Sequence, residues 1–250
     1  MSDEAAPPAR EGPLREVAAT YAVAFVGTAL LGVAALFGEG LGEVASAGTA
    51  LLFFGLALRA ARRERSGAER FGIDLGRVVD AGEGHDDGIL RALRSAAPSG
   101  LREVGFALGL AALVFPPFVV GFYFWHQPTH AFALSAPGDL ASFVLGQLLM
   151  VALSEEAFFR GFVQTRLHDA WKPNRTLFGA QLNVKVLVVQ AALFALVHLA
   201  TGLQVARLAT FFPGLVFGWM RAKRGGIGAS LVFHALCNVL AEFLVRGWLN

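Results

Sequence analysis

Three short stretches place ionisable or hydrogen-bonding side chains among apolar neighbours. Ser154-Glu155-Glu156-Ala157-Phe158-Phe159-Arg160 sets two carboxylates and a guanidinium in an otherwise apolar run. Glu156 and Arg160 stand at i and i+4, acid before base, the order in which such a pair best supports a helix. Glu155 is turned by about 100° from that face. A carboxylate in low dielectric is suited to take a proton from water and return it to a leaving amine. The plainer alternative puts both glutamates in an interhelical salt bridge. In Phe194-Ala-Leu-Val-His198 one histidine shares a helix face with a phenylalanine. A lone histidine of this kind is more often a hydrogen-bonded helix contact than a catalyst. Phe233-His234-Ala-Leu-Cys-Asn238 puts an imidazole and an amide one turn apart on the same side. Together these residues suffice to activate a water and to offer donors to a developing oxyanion.

Other features read as packing. Gly214 and Gly218 form a small-xxx-small face that lets one helix approach another closely. Phe158, Phe159 and Phe162 are expected to face lipid or core. His126 and His130, and separately His85 with Asp86 and Asp87, are expected to be solvated loop residues rather than metal ligands. The lone Cys237 excludes an intrachain disulfide and is expected to pack.

These side chains need apolar helices to hold them, and the composition supplies those. The 250 residues are 55% hydrophobic and only 16% charged, with a mean hydropathy of +0.56. Soluble domains carry about 25% charged residues, so disordered, collagenous and disulfide-framework classes are excluded, and the bilayer is the solvent. The net charge of +2, with 18 Arg among the 21 basic residues, is what positive-inside topology requires and does not argue for nucleic acid. The arginine bias also hints at a GC-rich genome.

The expected fold is all-α: a polytopic transmembrane bundle of about seven spans with a cytoplasmic N-terminus. Residues 1–14 read as a disordered cytoplasmic tail and 15–250 as one membrane-embedded domain. Val17–Gly38 carries no charge for 22 residues, enough at 1.5 Å per residue to cross roughly 30 Å. Further spans are expected near 42–60, at 104–125 with Pro116 and Pro117 kinking it, and from Leu140 past Ser154. The last three are expected at 186–206, 207–222 and 225–246. The segment 61–100 is Arg-rich and reads as a cytoplasmic loop lying on the inner leaflet as amphipathic helices, whereas His126–Gly138 has no Lys or Arg and is placed outside.

Taken in order on separate helices, Glu155-Glu156-Ala-Phe-Phe-Arg160, Phe194-Ala-Leu-Val-His198 and His234-Ala-Leu-Cys-Asn238 resemble the EExxxR, FxxxH and HxxxN motifs of the CPBP family of intramembrane endopeptidases, which includes the CAAX proteases and bacteriocin-processing enzymes. The resemblance covers roughly 140–245. It implies hydrolysis of a peptide bond near the C-terminus of a membrane-associated protein or peptide. On these positions Glu155 and His198 would activate water and His234 and Asn238 would stabilise the oxyanion. Glu156 and Arg160 would then support the helix that bears Glu155. A cofactor-free mechanism is preferred. Zinc, held by Glu155, His198 and His234, is the alternative, although no HExxH pair occurs on one helix. The implied setting is the bacterial inner (plasma) membrane, with lipid on all sides, a monomeric chain and no nucleic-acid partner. Two other classes compete: a non-enzymatic binding or immunity protein on the same scaffold, and a proton-coupled transporter using the buried carboxylates as a relay.

Overall fold

The structure is a computed structural model and describes residues 11–38, 40–74 and 88–249; side chains of 88–96 are not described. The architecture is helical apart from one short hairpin, as the composition demands. The helices are α1 (Glu11–Ala34), α2 (Leu41–Ala61), α3 (Gly67–Arg70), α4 (Gly88–His126), a long stretch Leu140–Ala170 treated below, α8 (Val184–Ala200), α9 (Phe211–Arg224) and α10 (Gly228–Trp248). The stretch Leu140–Ala170 is built from α5 (Leu140–Gly146), a π segment (Gln147–Ala152), α6 (Leu153–Glu156), a second π segment (Ala157–Val163) and α7 (Gln164–Ala170). The hairpin pairs β1 (Arg175–Leu177) with β2 (Ala180–Leu182), Thr176 opposite Gln181.

Five of these helices are long and apolar enough to cross a membrane: Glu11–Phe37, Leu41–Ala61, Ala97–His126, Leu140–Ala170 and Gly228–Trp248. They bury little of their own apolar surface; Leu30 and Leu113 are 66% and 72% exposed, an arrangement that needs hydrocarbon around it. The chain is an integral membrane protein. Of the about seven spans expected, five are helices of this length, and the two others fall on shorter helices. The span expected at 186–206 ends at Ala200, where Gly202, in a conformation open to glycine (φ 158°), breaks the helix. The span expected at 207–222 is a 3-10 turn, Val205–Thr210, followed by the 14 residues of α9, about 21 Å at the usual rise and short of a bilayer.

The structure adds detail at three places. Glu11–Leu14, expected in the tail, are helical, Pro13 being tolerated near a helix start and Glu11 pairing with Arg15 at 2.9 Å; the rest of the expected tail lies outside the described residues. The described parts of the segment 61–100 contain α3 and the first residues of α4. Phe71 and Ile73 are fully buried, and 88–100 is the start of α4, which runs unbroken through Pro98, Pro116 and Pro117. His85, Asp86 and Asp87 lie outside the described residues. The chain forms two compact units, Met1–Asp74 with Ser154–Ile227 and Leu75–Leu153 with Gly228–Asn250.

In the first unit α1 packs on α2, α7 and α8, and α8 on α9. Its centre is aromatic. Phe53 stacks on Phe158 at 5.2 Å and meets Phe159 edge-on at 5.7 Å, while Phe159 meets Phe194 at 5.1 Å. Of the two readings of Phe158, Phe159 and Phe162, core is correct: none is exposed. The Tyr21 hydroxyl donates to Leu193 O at 2.9 Å and joins α1 to α8. In the second unit α4 and the first π segment pack on α10, with Phe115 stacked on Phe233 at 5.7 Å. The Trp248 ring lies against Phe122, Tyr123 and Phe132.

Candidate active site

The helix carrying the two glutamates starts at a designed stop. Asp139 caps it, its carboxylate accepting from Ser142 N at 3.0 Å and Ser142 Oγ at 2.6 Å. Those bonds hold the Asp139 carboxyl below its usual range. Further along, the backbone widens twice: Leu153 N–H donates to Leu148 O and Gln164 N–H to Phe159 O, each five residues back. Glu155 and Glu156 therefore sit on a single α turn between two π segments, a distortion of the kind that recurs at functional sites.

Glu156 and Arg160 form the ion pair read from their spacing, Arg160 Nη1 to Glu156 Oε1 at 2.9 Å, with both side chains fully buried. The guanidinium also lies over the Phe194 ring at 4.2 Å and the Phe217 ring at 4.8 Å, and Nη2 points to Gly214 O at 3.4 Å. One cation thus ties the glutamate helix to α8 and α9. Removing water from two charges is costly; the aromatic faces and the carbonyl offset part of that cost. Glu155 is partly exposed, and its charge also acts on Arg160.

His198 is partly exposed at the end of α8. Its Nδ1 lies 2.7 Å from Phe194 O. A carbonyl only accepts, so Nδ1 is the donor of this contact and Nε2 is the nitrogen left to face a substrate or water. Phe194 meets the imidazole edge-on at 4.7 Å. The face shared by Phe194 and His198 in the sequence is therefore real contact, and Glu156, Arg160, Phe194 and His198 form a continuous chain inside the first unit.

His234 and Asn238 belong to the second unit. His234 is buried and Asn238 partly exposed. Asn238 Nδ2 donates to Gln147 Oε1 at 2.9 Å, which fixes the amide and leaves a second N–H on the same nitrogen. Of the six residues singled out in the sequence, four lie in the first unit and two in the second.

Three buried or half-buried amides escaped the sequence reading. Besides Gln147, Gln164 Nε2 donates to Gly218 O at 2.8 Å and Gln190 Nε2 to Gly214 O at 2.8 Å. Their signal was there: an uncharged amide inside an apolar span is nearly as informative as a charge. Gly214 and Gly218 pack as expected. A Cβ on Gly214 would stand 3.2 Å from Phe194 Cδ1, and one on Gly218 would run into Gln190 Nε2 and lie 2.8 Å from Leu187 Cδ1.

A catalytic zinc needs three protein ligands and an open position. Among the described residues, neither unit on its own gathers three His, Cys, Asp or Glu side chains around a common point; the first unit offers Glu155 and His198. The residues of each unit taken alone do not fit the metal.

A helical membrane protein with carboxylate, imidazole and amide side chains on separate helices has the make-up of an intramembrane hydrolase. Residues 137–240 match the family model described as Type II CAAX prenyl endopeptidase Rce1-like, in agreement with the family resemblance carried by the three motifs. The matched residues include all six motif positions. No curated protein and no solved structure matches the chain.

Proposed function

We propose that this intramembrane endopeptidase domain cleaves a peptide bond near the C-terminus of a membrane-associated protein or peptide, with water activated by Glu155 and His198. The observation that carries the reading is the Phe194 O contact to His198 Nδ1, since it leaves Nε2 as the basic nitrogen. Glu155 takes a proton from water, assisted by His198 Nε2. The water oxygen bonds to the scissile carbonyl carbon and its oxygen becomes an oxyanion. His234 and Asn238 donate to that oxyanion, which is the interaction that grows in the transition state. The C–N bond then breaks, and the proton held by the Glu155 and His198 pair passes to the leaving amine.

Glu156 and Arg160 are positioning residues: they lock the helix bearing Glu155 against α8, which bears His198. No step is routed through a metal, in keeping with the cofactor-free mechanism preferred from the motifs; cleavage insensitive to chelators is expected. The proposed orientation keeps the N-terminus and the Arg-rich segment 61–100 on the cytoplasmic side of a bacterial inner membrane. The deciding experiment is Glu155→Gln in membranes with a C-terminally tagged, prenylated reporter peptide. Loss of cleavage with unchanged protein yield is expected. Full activity in Glu155→Gln overturns the assignment, and uptake of a solute that is lost in this variant would favour transport.

A further inference from the structure

Away from the motif residues, α1 and α2 of the first unit enclose a crevice of about 210 Å³, lined by Glu16, Thr20, Val23, Leu56, Arg59 and Arg63 with alanines between them. That is room for about seven waters at ~30 Å³ each, the scale of a headgroup rather than of a folded segment. Gly27 lies against Leu52 and Gly48 against Leu31, so the two helices run antiparallel. The same register sets Val23 level with Leu56, Thr20 with Arg59 and Glu16 with Arg63. The charges therefore lie at one end of the crevice and the aliphatic side chains at the other, about 10 Å away along α1.

The cations at the charged end are unused. Arg59 and Arg63 are exposed, as are Arg62 and Arg65, and none of these four side chains makes an ion pair or hydrogen bond among the described residues. The neighbouring acids are already engaged. Glu16 pairs with Arg166 at 2.9 Å, and Glu64 pairs with Arg70 and Arg166, two guanidinium groups that do not line the crevice. Residues 59–65 hold four Arg against one Glu, a net +3. Here α2 closes the span Leu41–Ala61 and α1 opens the span Glu11–Phe37. The charged end thus sits at the headgroup layer and the aliphatic end in hydrocarbon.

An occupant has to suit both ends. A free inorganic anion meets the guanidinium groups but leaves Val23 and Leu56 uncovered. A zwitterionic headgroup brings a cation of its own to a rim that is already positive. An anionic glycerophospholipid answers each demand: its phosphate oxygens accept from Arg59 and Arg63, the Thr20 hydroxyl can donate beside them, and a chain runs past Val23 and Leu56. We infer that the crevice between α1 and α2 binds one anionic phospholipid, headgroup on Arg59 and Arg63. Basic clusters beside a membrane span attract anionic lipid in general; the crevice gives this cluster a place for a single molecule. The proposed hydrolysis uses none of these residues.

The test follows thermal unfolding of the full-length chain in neutral detergent during titration with phosphatidylglycerol, phosphatidylcholine or sodium phosphate, the last against sodium chloride at matched ionic strength. A saturable rise in unfolding temperature is expected with phosphatidylglycerol alone. Arg59→Gln combined with Arg63→Gln should weaken the apparent affinity by about tenfold or more, since it removes the charge-assisted bonds. Arg62→Gln combined with Arg65→Gln removes as much charge outside the crevice and should weaken it by less than about threefold, because exposed charges at a distance are screened. Ala19→Phe fills the crevice from its exposed wall; it should match the loss of the first pair, and it takes that pair's place if the arginine variant does not fold. Absence of saturation, saturation by phosphatidylcholine or by phosphate, or equal losses in the two arginine pairs overturns the inference.

Discussion

His198 Nδ1 sits 2.7 Å from the carbonyl oxygen of Phe194, one turn earlier in the same helix. That contact selects the tautomer with the proton on Nδ1, the reverse of the one that dominates in free imidazole side chains. Side-chain nitrogen NMR on labelled protein at neutral pH should report a protonated Nδ1 and a bare Nε2. His198→Ala should lower turnover by about 10²–10⁴-fold while leaving the yield in membranes unchanged. A ring protonated on Nε2 at neutral pH would refute this assignment of roles.

The Glu156–Arg160 pair makes a different prediction, because both side chains are fully buried. Arg160→Ala leaves a carboxylate in the core without its cation and should destabilise the protein by roughly 3–5 kcal/mol. Removing both charges with Glu156→Gln and Arg160→Met should recover much of the loss. The readout is folded protein in membranes and unfolding in detergent; a double variant as poor as the single one would contradict the argument.

At Gly218 the prediction is steric. Its α9 backbone lies against Gln190 and Leu187 so closely that a methyl group has no room. Gly218→Ala should cost about 1–3 kcal/mol through overpacking. Gly109 on α4 has nothing within 4 Å of an added Cβ, and Gly109→Ala should stay within about 0.5 kcal/mol of the parent. Similar effects at both positions would mean that α9 does not pack as described.

Acid sensitivity should trace to Glu64. Burial alone would raise its carboxyl, but hydrogen bonds from Arg70 and Arg166 hold it below the usual 4.5; Arg166 also pairs with Glu16 at 2.9 Å. A carboxylate depressed on folding adds stability above its unfolded value and loses it as pH falls through the folded one. The melting temperature should therefore drop below pH about 4.5, and Glu64→Gln should flatten that limb while lowering stability at neutral pH. Parallel pH profiles for the two proteins would rule out this carboxylate as the cause.

The sequence by itself determined the solvent, the helical class and the motif residues. Charge is so expensive in hydrocarbon that Glu155, Glu156, Arg160, His198 and His234 stood out against their neighbours, and the i, i+4 spacing foretold the Glu156–Arg160 bond. What it could not supply was anything that depends on contact between distant segments. A hydropathy scan counts apolar residues and cannot see that α8 ends at Ala200, just before Gly202, or that α9 has only 14 residues. It reads 61–100 as an arginine-rich loop and gives no sign that Phe71 within it packs against Phe162. The π turns on either side of Glu155 and the binding of Gly214 O and Gly218 O by Gln190 and Gln164 were likewise decided by tertiary packing. In an apolar core a widened turn or a buried amide persists only when a neighbouring helix supplies its partner, and sequence spacing carries no record of which helix that is.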